Sequence, residues 1–294
     1  MLSLIYIIKI WGIKMSRRLF CEYGPLAYKI SLFKEARKKD LKDLIQGKKF
    51  AKKRQMENFE YIWKGDTKVL LRKLHGVDME LQKNKVVNLK LASKKIDGII
   101  VNPGEEFSFW NLVGNATEKK GYVEGLVISN SKMKKGIGGG LCQMANMIHW
   151  LVLHTPLTVT ELHHHSDALF PDEKRRVPFG TGTSISYKAL DYRFKNTTPY
   201  PIQIRVWLDD KFLYGEIRSN VELKEKYKIV EEDNYYAKDV DGKFYRNSKV
   251  YRIIMDKETH EEKKKELILN NHSQVMYDYD LIPKEQIRET NNVK

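Results

Sequence analysis

Apolar positions in the first third of the chain repeat at helical spacing. Between Pro25 and Ile45, residues Leu26, Ile30, Phe33, Leu41, Leu44 and Ile45 recur on one face with Lys and Arg between them, the pattern of an amphipathic helix. Pro25 suits a first turn, where its missing N–H has no partner to lose, and Gly47 ends the run. Met56, Phe59, Ile62 and Trp63 predict a second helix over residues 50–63, stopped by Gly65 and Asp66. A third is expected from about Asp78 to Lys95.

After Gly98 the texture changes to short β-branched and apolar runs separated by turn residues such as Asn102, Pro103 and Gly104. Tyr122–Ser129 reads as a strand, Lys132–Gly140 as a glycine-rich loop, and Leu141–Leu153 as an apolar helix that Pro156 cannot continue. Strand-like runs follow at Leu157–Leu162, Thr183–Tyr187, Asp191–Lys195, Ile202–Leu208 and Phe212–Ile217, most economically joined as an antiparallel sheet. Beyond Val221 the alternation continues, with Asp241 and Gly242 as a hairpin turn, and the last dozen polar residues are expected to fray. The fold class expected is α+β: an N-terminal helical region over 16–97, then a mixed, mainly antiparallel β region over 98–220 with one central helix, then a β-rich extension over 221–294.

Charge sharpens that division. Residues 1–97 hold 24 Lys/Arg against 10 Asp/Glu, while residues 98–294 hold 29 against 28. A field of this sign favours anionic surroundings such as an envelope polymer or a lipid surface, or it is a solvated basic helical face. No helix-turn-helix, zinc or aromatic RNA-reading motif accompanies it, so no specific nucleic-acid partner is expected. The stretch from Met1 to Ile13 is apolar apart from Lys9, too short to span a bilayer and without a basic head or cleavage site. No transmembrane segment is expected, and a cytoplasmic location follows, with envelope association as the alternative. Met15, followed by Ser16, Arg17 and Arg18, reads as the start, leaving residues 1–15 as an extension.

Two cysteines, Cys21 and Cys142, make neither a disulfide framework nor a Cys-x-x-Cys motif. Cys142 follows Gly138, Gly139 and Gly140 and falls in the first turn of a helix, where the macrodipole and unpaired N–H groups favour a thiolate. The same residues fit a small buried thiol beside a tight turn, and the local sequence leaves both readings open. A nucleophile needs a base, and His149, His154 and the run His163, His164, His165 supply candidates. On a strand, His163 and His165 share a face, as base or as two ligands of a metal with Cys142. Asp191 is a candidate orienter of the imidazole, and Arg175 and Arg176 are candidates to grip a substrate carboxylate; each equally suits a surface ion pair. P-loop, Rossmann, His-Glu-x-x-His and Gly-x-Ser-x-Gly signatures are missing from the sequence.

Four stretches in order, Asn102–Phe109, Gly138–Gln143, Glu161–Ser166 and Asp191–Asn196, resemble successive signatures of the VanW family, and Phe20–Glu22 with Tyr28–Ser31 extends the likeness to about residues 16–220. The resemblance implies a family linked to glycopeptide-resistance clusters, in which VanW domains of some larger exported proteins are regarded as cysteine L,D-transpeptidases acting on peptidoglycan stem peptides. Carried onto this chain, it implies Cys142 as acyl-accepting nucleophile, His165 as general base and Asp191 as its orienter. Gly139, Gly140 and the Gln143 backbone would shape an oxyanion site, Arg176 would meet the substrate, and no metal or organic cofactor is implied. The competing class is a non-enzymatic accessory module for an anionic envelope component or a cell-wall precursor.

Overall fold

The structure, a computed structural model, describes residues 19–71, 78–129, 132–164, 167–171 and 177–289. Packing divides the chain into a unit ending at Gly47 and a second from Lys48 onward, so the change of charge near residue 97 falls inside the second. The first unit holds a 3-10 turn, Phe20–Tyr23, and helix α1, Pro25–Ile45, with Pro25 in the first turn as its chemistry favours. Its apolar stripe of Leu26, Ile30, Phe33, Leu41 and Leu44 is exposed.

In the second unit the order is β1 (Tyr61–Val69), α2 (Met79–Ile96), β2 (Ile99–Val101), β3 (Glu106–Ser108), α3 (Phe109–Val113), β4 (Glu124–Ser129), β5 (Lys132–Ile137), α4 (Cys142–Leu153) and β6 (Thr158–Glu161). Then come β7 (Asp167–Ala168), β8 (Arg193–Lys195), β9 (Ile202–Leu208), β10 (Phe212–Ser219), β11 (Glu225–Lys238), β12 (Phe244–Asp256) and β13 (Glu262–Val275). The strands form an antiparallel sheet β1-β10-β9-β2, a three-stranded sheet β3-β8-β6, a hairpin β4-β5, and a long meander β11-β12-β13 with β7 parallel at its edge. The α+β class stands, with mainly antiparallel sheets and α4 as the central helix.

Strict alternation explains the main sheet. Ile202, Ile204 and Val206 on β9 and Leu213 and Ile217 on β10 are buried on one face. Gly215 sits among them because a Cβ there would stand 2.9 Å from Met147 and 3.0 Å from Leu151 of α4. Met144, Met147, Ile148, Leu151 and Val152 of α4 are fully buried. At roughly 1.5–3 kcal/mol for each large apolar side chain, against about 1 kcal/mol for a hydrogen bond, the core fixes where the start of α4 lies.

Several expectations are corrected. Residues 50–63 are not helical: Phe50 bridges to Glu106, Arg54 to Ile99, and β1 begins at Tyr61. The reason is tertiary. Gln203 donates to the carbonyls of Gln55 and Glu57 and accepts from the Phe59 N–H, while Arg205 binds the Met56 carbonyl and Asn58. These bonds hold the backbone extended against a modest helical pattern. The glycine-rich loop is half strand, since β5 pairs with β4 before the turn. Residues 183–187 form no strand beyond a bridge between Ser186 and Leu190. The tail stays ordered through residue 289, tied by the Ile287 bridge to Tyr236 and the Arg288 N–H to the Tyr236 carbonyl; residues 290–294 lie outside the described residues.

Candidate active site around Cys142

The glycine turn is built by close packing. A Cβ on Gly139 would stand 2.1 Å from the carbonyl carbon of Gly125 in β4, and one on Gly140, whose φ is +90°, would stand 2.1 Å from Lys85 Cγ. Gly138, at φ +76°, faces Ala116. Asn88 of α2, fully buried, pins the turn: its Nδ2 donates to the Gly139 carbonyl at 2.9 Å and the Val123 carbonyl at 3.0 Å, and its Oδ1 accepts from the Val123 N–H at 2.9 Å. All three glycines thus have steric reasons to be glycine.

The turn delivers Cys142 at the first residue of α4. Cys142 is half-buried, and desolvation of its sulfur pushes the thiol pKa up, outweighing the neighbouring N–H groups of residues 185 and 142, which favour the thiolate. The depressed pKa expected from the helix start is therefore corrected. Of the expected oxyanion donors, the Gly139 N–H is committed to the Gly136 carbonyl at 3.1 Å and the Gln143 N–H to the Gly140 carbonyl at 3.0 Å. The Gln143 side chain reaches the Val69 carbonyl at the end of β1, 2.9 Å away.

One extended segment connects α4 to the histidine motif. The Thr183 N–H donates to Asn146 Oδ1, one turn after Cys142, at 2.6 Å. The Ser184 N–H turns the other way to the His163 carbonyl at 2.7 Å. Asn146 of α4 and His163 thus lie on opposite edges of residues 183–184.

His163 Nε2 lies 2.9 Å from Glu161 Oε1, a pair that the sequence reading missed. Their two-residue spacing was the available signal; β6 ends at Glu161, so His163 lies just past the strand on which the histidines were expected. Asp191, expected to orient an imidazole, is buried and accepts instead from Ser108 Oγ (2.5 Å), Trp110 N–H (3.1 Å), Tyr192 N–H (2.9 Å) and Arg193 Nε (2.8 Å). Its own N–H donates to Glu161 Oε1 at 2.9 Å. His165, Arg175 and Arg176 lie outside the described residues.

The other histidines are built into the core. His149 Nδ1 is 3.2 Å from the Tyr192 hydroxyl, and burial lowers its pKa to about 3. His154 bonds the Trp150 carbonyl at 2.8 Å and is lowered by burial to about 4. At ~1.5 Å rise per residue, His154 sits far down α4 from the thiol. Among the described residues no three His, Cys, Asp or Glu side chains gather as a metal site, and no helix is long and apolar enough to cross a membrane.

A relative described as vancomycin B-type resistance protein VanW, from Enterococcus faecalis, is 36% identical over 202 residues, covering 69% of this chain and 73% of its own length. The chain belongs to the VanW family. The family model, described as VanW like protein, matches residues 84–218, and so spans the VanW segment from within α2 to the end of β10 with Cys142, Glu161, His163 and Asp191 inside it. An uncharacterized protein of Bacillus subtilis, YoaR, is 32% identical over 123 residues, 42% of this chain and 39% of its own length. No solved structure matches. The meander β11-β12-β13 lies beyond the matched VanW segment.

Proposed function

We propose that this VanW family protein is a cysteine acyltransferase of the cell envelope, acting on peptidoglycan stem peptides or their precursors in the manner of an L,D-transpeptidase. One observation carries the reading: the Thr183 N–H bonds Asn146, one turn past Cys142 on α4, while the next N–H, of Ser184, bonds the carbonyl of His163 in the histidine motif. Because burial favours the neutral thiol, attack needs a base that takes the proton as the S–C bond forms. His165, at the motif position, is assigned that role, and His163, held by Glu161, is the competing imidazole. Asp191 supports this face at one remove, through Arg193 and Glu161.

The thiol sulfur adds to the carbonyl joining an L-centre to a terminal D-amino acid while the base takes its proton. Collapse breaks the C–N bond, the base returns the proton to the departing amine, and a thioester remains on Cys142. An acceptor amine or water then attacks the thioester carbon, the sulfur leaves, and the acceptor's proton restores the thiol. With the Gly139 and Gln143 N–H groups committed, oxyanion stabilisation falls to the Gly140 N–H, and Arg176 is assigned to a substrate carboxylate.

A second reading, a non-enzymatic module that binds an anionic envelope component, is favoured by the raised thiol pKa and the steric account of the glycines. The deciding experiment incubates the full chain with a synthetic stem tetrapeptide ending in a D-amino acid and records intact mass. A Cys142 adduct equal to the peptide less its last residue is expected, absent in Cys142→Ala and diminished in His165→Gln. If the unmodified chain forms no adduct and Cys142→Ala melts markedly lower, the thiol is structural and the module reading prevails.

A further inference from the structure

One face of α4 carries Cys142, Asn146, His149 and Leu153 in succession, by the 3.6-residue repeat. At its far end from the thiol lies a cavity of about 220 Å³, walled by Leu153, Leu157 and Val159 of the core and by Ile268 and Leu269 of β13. His149, 2% exposed, and His164, which is exposed, also line it, as does Arg252. Two of its walls thus come from the VanW segment and one from the meander that follows it.

The polar groups set the chemistry. The Tyr192 hydroxyl is fully buried with His149 Nδ1 as its partner among the described residues, so the hydroxyl proton belongs in that bond, where leaving it unmade would cost most. His149 is then the tautomer with its proton on Nε2, and burial keeps it uncharged. His164 Nδ1 faces the Gly180 carbonyl at 2.9 Å, and a carbonyl accepts, so this nitrogen carries the proton and Nε2 presents a lone pair. Arg252 gives its Nε and Nη2 to Glu266 at 2.8 and 2.6 Å, which offsets its charge, and no carboxylate lines the cavity among the described residues.

We infer that this cavity binds an uncharged amide carrying a short aliphatic group, its carbonyl accepting from His149 Nε2 and its N–H donating to His164 Nε2. The aliphatic part would fill the space among Leu153, Leu157, Val159 and Leu269. A free carboxylate or ammonium would lose its hydration without a compensating free charge. The assignment stands independently of whether Cys142 is a nucleophile.

The test titrates the full chain with three near-isosteric probes, isobutyramide, 3-methyl-2-butanone and isobutyrate, following the histidine ring Cε1–H signals by NMR. Isobutyramide is expected to shift the His149 and His164 signals saturably. The ketone, lacking the donor, should bind on the order of tenfold more weakly, and isobutyrate should give no saturable shift. Ile268→Trp, which fills the cavity from the sheet side, should abolish the response. Equal responses to all three probes, saturable binding of isobutyrate, no response to isobutyramide, or persistence in Ile268→Trp would each overturn the assignment. Because the readout does not depend on acyl transfer, failure here is separable from failure of the proposed function.

Discussion

Glu161 and Asp191 share one guanidinium: Arg193 Nε lies 2.8 Å from Asp191 Oδ2 and 3.2 Å from Glu161 Oε2, and His163 completes the row at 2.9 Å from Glu161. Two buried or half-buried carboxylates are thereby held by one cation and several N–H groups. Removing a member leaves charge without a partner, which costs more than the pair contributes.

Asp191→Ala is accordingly expected to cost about 3–5 kcal/mol of stability, read from urea unfolding, because Ser108, Trp110 and Arg193 all lose an acceptor. A residue serving solely to orient an imidazole would lower activity and leave the unfolding midpoint where it was.

Gly139→Ala should lower stability by more than about 3 kcal/mol or prevent folding, since its Cβ would overlap the Gly125 carbonyl group. Gly65→Ala, whose Cβ would meet ordinary contacts at 3.7 Å and beyond, should stay within about 1 kcal/mol of the parent by the same measurement.

His149 and His154, lowered to about 3 and about 4, make stability depend on pH. Above the ordinary imidazole value of 6.5 both are neutral whether folded or unfolded, and their linkage contribution is fully present. As pH falls below 6.5 the unfolded chain binds protons that the folded chain refuses, so stability declines by up to about 1.4 kcal/mol per pH unit for each group. Midpoints of unfolding measured from pH 7 to pH 4 should fall, and His149→Phe should flatten the slope.

With Cys21→Ser leaving one thiol, alkylation of Cys142 in the folded protein should be slow at neutral pH and should accelerate above the ordinary thiol range, as its burial requires. Rapid labelling at pH 7 would show an activated thiolate and remove the need for a concerted base.

The sequence made the local periodicities readable: Pro25–Ile45, the third helix, the helix after Cys142 and the strand Ile202–Leu208 all stand where pattern alone puts them. It misled where distant side chains capture backbone. Nothing near residues 50–60 indicates that Gln203 and Arg205, some 150 positions later, will take their carbonyls. The strand before the histidine motif was legible but ends at Glu161, short of His163, and choosing Glu161 over Asp191 as the partner of an imidazole required knowing which carboxylate Arg193 and the α3 cap would occupy. A helix start predicts an activated thiol only if the sulfur stays well solvated, and desolvation is a property of the whole fold.

Asn88 gives the glycine turn little room to rearrange. Breathing of the turn would have to break three hydrogen bonds of one buried amide at once, with helix α2 as a rigid backstop. On the opposite side residues 183–185 belong to no sheet, and the Thr183 N–H meets Asn146 through one hydrogen bond. The glycine turn is thus anchored by several bonds from one side chain, whereas the strip facing it is held by isolated N–H bonds and by the packing of Thr183 and Ile185.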